Sequence, residues 1–170
     1  RLAEMHRITE NIVTKDWQKT VLVNEIVDVV NENGRANMEM LLVTDLEARN
    51  KIRERIDNNT QKVTELLEKL DGIISGAEEQ ALVEKIREAR TTYEEAFGKA
   101  AKVLLGEGRR FEASRIMMSE TSVALKAFLD TIGSLVGYEG KHLEASGAQA
   151  KQHHTSGRLL MLVLSAVVLL

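Results

Sequence analysis

Residues 82–103 read LVEKIREARTTYEEAFGKAAKV, and their apolar positions decide the fold. Leu82, Ile86, Ala89, Tyr93, Ala96, Ala100 and Val103 alternate four and three residues apart. That 3.5-residue period belongs to a helix packed nearly parallel to its neighbours. Glu, Lys, Arg and Thr stand between them, as on a solvated outer face. Gly72-Ile73-Ile74-Ser75-Gly76 precedes the stretch and Gly106-Glu107-Gly108 follows it, so turns bound this helix at both ends.

Moving outward, comparable stripes recur on either side. The segment before it gives Ile52, Ile56, Asn59, Val63, Leu66 and Leu70. The first segment gives Val23, Val27, Val30, Gly34, Met38 and Leu41; the last gives Phe111, Ser114, Met118, Thr121, Leu125, Leu129, Ile132 and Val136. Thr44 with Glu47, and Ser75 with Glu78, have the spacing of capping boxes and mark two helix starts. Helices are therefore expected at roughly Leu2–Val43, Asp45–Leu70, Ala77–Leu105 and Arg109–Ser156. Four long helices joined by short turns make an all-α, antiparallel up-down-up-down four-helix bundle. The composition agrees: 170 residues with 4% aromatics and no Pro suit long helices and not a β-sandwich.

Residues 159–170 carry no charge. Twelve residues at 1.5 Å rise reach about 18 Å, short of the roughly 30 Å of a bilayer core. The run is read as the start of a second transmembrane helix, with residues 1–158 forming the bundle domain before it. In this topology Arg1 and the tail share one pole, so both outer helices would continue into the membrane. Arg158 and His153-His154 fall where interfacial residues would sit.

Several chemistries are excluded. A net charge of −3 offers no basic excess for nucleic acid. Without Cys there is neither a disulfide framework nor a thiolate metal site. No Gly-rich phosphate loop or nucleophile elbow occurs. A di-metal bundle needs Glu-x-x-His twice, and Glu139 with His142 supplies it once. No catalytic residue, metal or cofactor is expected.

One level of the bundle stands out. Counting from the pole opposite the tail, Asn31, Asn59, Tyr93 and Thr121 fall at similar depth. Gly34 and Arg35 lie a turn away, and Arg90 flanks Tyr93. Such a layer can simply fix helix register, as a buried Asn does in coiled coils. It can also bind: two arginines with amide and hydroxyl donors suit a small organic anion, either a di- or tricarboxylate or an aromatic or cyclic acid stacking on Tyr93. Arg49, Arg53 and Arg55, among Glu47, Glu54 and Asp57, read as a solvated ion-paired face.

The arrangement resembles the periplasmic four-helix-bundle sensor domain of bacterial methyl-accepting chemotaxis receptors. The likeness rests on the helix layout, the Gly-marked turns and two local stretches. Asn33-Gly34-Arg35-Ala36-Asn37-Met38-Glu39-Met40-Leu41-Leu42 resembles the end of the family's first helix, where Arg35 matches a ligand-binding Arg of the aspartate receptor. Met118-Ser119-Glu120-Thr121-Ser122 resembles the early fourth helix, which supplies hydroxyl and backbone contacts. Glu39 stands where the aspartate receptor has a second Arg, which speaks against aspartate itself. The resemblance implies a homodimer packed through the first helix, a periplasmic domain on the bacterial inner membrane, and output to a cytoplasmic histidine kinase through an adaptor. Two alternatives keep the bundle: the sensor of a histidine kinase or cyclase, and a structural bundle without ligand.

Overall fold

The computed structural model describes Lys15, residues 17–142, Glu144 and Ala145. Helix α1 spans Trp17–Leu42, α2 Leu46–Asp71 and α3 Ala77–Ala101. A π-helical turn, Lys102–Gly106, extends α3 to the place where the sequence ends it. Helix α4 begins at Arg110–Ile116, passes through a second π-turn at Met117–Thr121 and runs on through residue 142. No described helix is long and apolar enough to cross a membrane, and the apolar run 159–170 lies outside the described residues.

Contacts between side chains give the topology. α1 and α2 are antiparallel, since Asn33 meets Asn59 while Glu25 pairs with Lys62. α1 and α3 are parallel: Lys19 meets Glu79, and Asn37 meets Tyr93. α4 runs against both, with Lys99 reaching Glu120 and Lys19 lying near Glu139. This is the expected up-down-up-down bundle.

Its core is a continuous column that includes Ile26, Met40, Ile56, Leu67, Leu70, Ile86, Met117, Phe128, Ile132 and Leu135, each at most 2% exposed. The α2 stripe is buried as read, except that Asn59 is half-buried. The α3 stripe is buried too, apart from half-buried Leu82 and Ala89. Two stripes need correction. In α1 the buried line runs through Lys19, Val23, Ile26, Val30, Asn33, Asn37 and Met40, leaving Val27 and Gly34 half-buried and Met38 exposed. In α4 it runs through Ala113, Met117, Thr121, Ala124, Phe128, Ile132 and Leu135, while Phe111, Met118 and Val136 are exposed. Both expected stripes sit largely one residue too far along the chain. Each of these helices has apolar residues on two adjacent faces, and the bulkier set is not always the buried one. Ala113 and Ala124 face inward because small residues allow helices to approach closely. Of the pairs Met38/Met40 and Met117/Met118, Met40 and Met117 are buried, and Met38 and Met118 are not.

The helix ends also differ by one residue from expectation. The cap of α2 is Asp45, whose carboxylate accepts from the Ala48 amide at 2.8 Å, not Thr44. The cap of α3 is Gly76, and Glu79 reaches back to its amide, so the box does not pair Ser75 with Glu78. At the end of α1 the orphan carbonyls are taken by arginines: Arg49 donates to Val43 O at 2.7 Å and Arg110 to Leu42 O at 3.3 Å. Gly108, at φ 66°, makes the left-handed turn into α4.

Candidate sensory site

In the C-terminal part of α1, two amides turn inward. Asn33 and Asn37 are 2% and 1% exposed. Asn59 donates to Asn33 Oδ1 at 2.9 Å, and Asn37 Nδ2 donates to the Tyr93 hydroxyl at 2.9 Å. Burial pushes the Tyr93 phenol up to about 12, so it remains a neutral hydroxyl. Its ring stacks between Phe97 and Phe128, with centroids 6.4 and 6.1 Å away. Two buried atoms in this region have no hydrogen-bond partner: Asn37 Oδ1 and Thr121 Oγ1. Thr121 closes the π-turn of α4, a distortion often found at functional positions.

Of the residues singled out in the sequence, the structure buries Tyr93 and Thr121 and sets half-buried Asn59 against Asn33. It does not bring Asn31, which is exposed, or Arg35, whose side chain is 70% exposed and bonds to Glu32 at 2.6 and 2.9 Å. Arg90 is on the inner side of α3 but is engaged by α2: it donates to Thr60 O at 3.1 Å and Thr64 Oγ1 at 2.7 Å, and it pairs with Glu94. The α1 members of the layer are thus Asn33 and Asn37. Phasing α1 from Val23, Ile26 and Val30 would have found both. The neighbouring arginines behave largely as a paired surface: Arg53 binds Asp57 and lies 5.0 Å over Phe97, and Arg55 binds Glu39.

Asn31 and Arg35 instead line an open groove of about 640 Å³ between α1 and α4, with Gly34, Met38, Glu39, Leu42 and Leu125. Gly34 makes this groove possible. A Cβ there would stand 2.8 Å from Leu125 Cδ2. The groove therefore joins a guanidinium, an amide and apolar walls on the two helices whose sequence stripes were displaced. It can hold a small molecule with an anionic end and an apolar body.

A family model for four-helix-bundle sensory modules for signal transduction matches residues 1–154. The chain belongs to this family. None of the curated proteins compared with the sensory module matches it.

Among the described residues no cluster of His, Asp and Glu has the geometry to hold a metal ion. Glu139 is buried, whereas His142 is exposed and stacks on Tyr138 at 6.3 Å, so the single Glu-x-x-His pair is split between two faces. His6 and the pair His153-His154 lie outside the described residues.

Proposed function

We propose that the sensory module is the periplasmic input domain of a membrane-bound chemotaxis receptor, that it binds a small organic anion in the α1–α4 groove, and that it performs no catalysis. The observation that carries the ligand reading is the groove itself, where Arg35 and Asn31 stand beside the apolar Met38, Leu42 and Leu125. Among the described residues Arg35 is held only by Glu32 on its own helix, an exposed pair worth tenths of a kcal/mol, so a ligand carboxylate can replace Glu32 at little cost. Glu39 in the same wall disfavours a second carboxylate near it and suits a monoacid with an apolar body.

The polar layer behind the groove has a different role in this reading. Asn33–Asn59 and Asn37–Tyr93 key α1 to α2 and α3, and Arg90 keys α3 to α2. They hold three helices in register, while α4, with its π-turn at Thr121, meets α1 through fewer polar contacts, Arg110 to Leu42 O and the Lys19–Glu139 approach, and is the helix placed to shift against it. A ligand touching both walls favours one relative placement of α1 and α4, and only that difference in affinity passes a signal. A second copy packing on the apolar flank of α1, where Val21, Met38 and Leu42 are exposed, would form the homodimer and wall the groove. The signal would then pass to a cytoplasmic kinase and its adaptor.

A thermal-shift panel of organic acids, amines and sugars tests the reading. Stabilisation by monocarboxylates that grow more effective with apolar bulk is expected. Stabilisation by amines or sugars alone would overturn it.

A further inference from the structure

Two polar side chains facing the interior from α1 and α4 have bonding capacity to spare. Asn37 and Thr121 are each 1% exposed, and neither Asn37 Oδ1 nor Thr121 Oγ1 has a hydrogen-bond partner. Asn37 uses its Nδ2 on the Tyr93 hydroxyl at 2.9 Å. Turning the amide round does not satisfy it: Oδ1 would then take the Tyr93 proton, and Nδ2 would be the atom without a partner. As the amide stands, the Tyr93 oxygen accepts, and its own proton still needs an acceptor. Buried polar atoms nearly always find a partner in protein or in ordered water, because leaving them dry carries the full cost of desolvation.

Helix register brings these atoms to one level. α1 and α4 are antiparallel; Lys19 lies near Glu139, and a Cβ on Gly34 would meet Leu125. Carried along both helices, that register sets Asn37 opposite Thr121 and Ser122, and Thr121 is the buried one of the two. On α3 the level is bracketed by Tyr93, bonded to Asn37, and by Lys99, paired with Glu120. Within that bracket Phe97 lies against the Tyr93 ring, while buried Ala96 and Ala100 contribute a single methyl each. The level therefore joins three polar atoms from three helices with side chains too short to fill it, the setting in which an internal water is held.

We propose that Asn37, Tyr93 and Thr121 form a binding site for one ordered water inside the bundle, and that this water ties α4 to α1 and α3. The water donates to Asn37 Oδ1 and to Thr121 Oγ1 and accepts from the Tyr93 hydroxyl. Three hydrogen bonds are the usual complement of a buried water. Such a bridge is nearly as favourable as a direct hydrogen bond. Arg110 to Leu42 O and the Lys19–Glu139 approach join α1 to α4 toward opposite ends of the bundle, and the water joins them in between. Gly34, Met38 and Leu125 of the groove lie within about one turn of Asn37 and Thr121, on the same stretch of the two helices. A groove ligand that moves α4 against α1 therefore works against this bridge. That consequence rests on the groove reading; the water site does not.

A crystal structure of the full native chain, at a resolution that shows ordered water, tests the site. A water within hydrogen-bond range of both Asn37 and Thr121 is expected. A direct bond between Thr121 Oγ1 and Asn37 Oδ1, or no water at this level, would overturn the proposal. Melting temperatures of Thr121→Val and Thr121→Ser give a second readout. Valine has the shape of threonine without the hydroxyl, so T121V should melt below the native chain, because the water and Asn37 Oδ1 lose their link to α4. T121S keeps the hydroxyl and should melt above T121V. A T121V that melts at or above the native chain would overturn the proposal, since a hydroxyl with no partner is better replaced by a methyl; so would T121S melting below T121V. The crystal structure of the native chain decides even if neither variant folds. No organic acid enters either measurement, so the groove and the water site stand or fall separately.

Discussion

Helices α2 and α3 each carry one apolar face; α1 and α4 each carry two. Of the nine exposed large apolar residues among the described ones, only Leu46 is on α2 and none is on α3. The other eight are Trp17, Val21, Met38 and Leu42 on α1, and Phe111, Met118, Val123 and Val136 on α4. Burying one stripe satisfies α2 and α3, which serve as scaffold. α1 and α4 keep a second apolar flank that the single bundle does not cover, and the Asn31–Arg35–Leu125 groove lies between them. The working surface of a sensory bundle is thus expected on the helices whose patterning is least simple.

The largest expected effect contrasts the two faces of α4. Phe128→Ala, at a fully buried ring beside Tyr93, should cost about 3–5 kcal/mol in denaturant unfolding. Phe111→Ala, at a ring 88% exposed, should stay within about 0.5 kcal/mol. Equal losses would mean that Phe111 is also core and would erase the distinction. The next contrast is on α1. Asn33→Ala leaves the Asn59 amide without its acceptor and should cost about 1–3 kcal/mol, whereas exposed Asn31→Ala should be near neutral. A reversed order would restore the sequence phasing of α1.

That phasing shows what was legible and what was not. The bundle, its turns and the α2 and α3 stripes could be read because a single 3.5-residue stripe leaves one choice of face. In α1, Val23–Val27–Val30 and Val23–Ile26–Val30 are equally apolar, and only packing selects the second. In α4, small Ala113 and Ala124 are buried while large Phe111 and Met118 are not, which inverts the usual weighting by size. The polar layer was anticipated through Asn59, Tyr93 and Thr121, but its α1 partners follow the corrected phase. Arg35 was singled out as a candidate cation but placed in the interior, because periodicity cannot say on which side of Gly34 a long side chain leaves. The buried Lys19–Glu79–Glu139 cluster was missed. Charged residues are normally assigned to solvent, and their spacing gave no sign of convergence across three helices.

A smaller effect bears on pH. Burial by itself would raise Glu79, but the Lys19 contact and the Ser75 and Gly76 amides bring it down to about 2, so its contribution is present above the ordinary carboxylate range and lost as pH falls toward that value. The melting temperature of the native chain should drop between about pH 4.5 and pH 2, and Glu79→Gln, already destabilised, should drop less. Identical acid limbs would remove Glu79 from the account. The smallest effect is at Gly34→Ala. The added methyl pushes on the flexible tip of Leu125, costing about 1 kcal/mol or less, yet it narrows the groove. Organic-acid affinity should therefore fall more than stability does.

The most direct measurement is titration calorimetry of the stabilising organic acid against the native chain, Arg35→Ala and Arg90→Ala. Binding lost in Arg35→Ala and kept in Arg90→Ala is expected if the ligand lies in the α1–α4 groove. Binding kept in Arg35→Ala and lost in Arg90→Ala would put the ligand inside the bundle and contradict the division between scaffold helices and sensing helices.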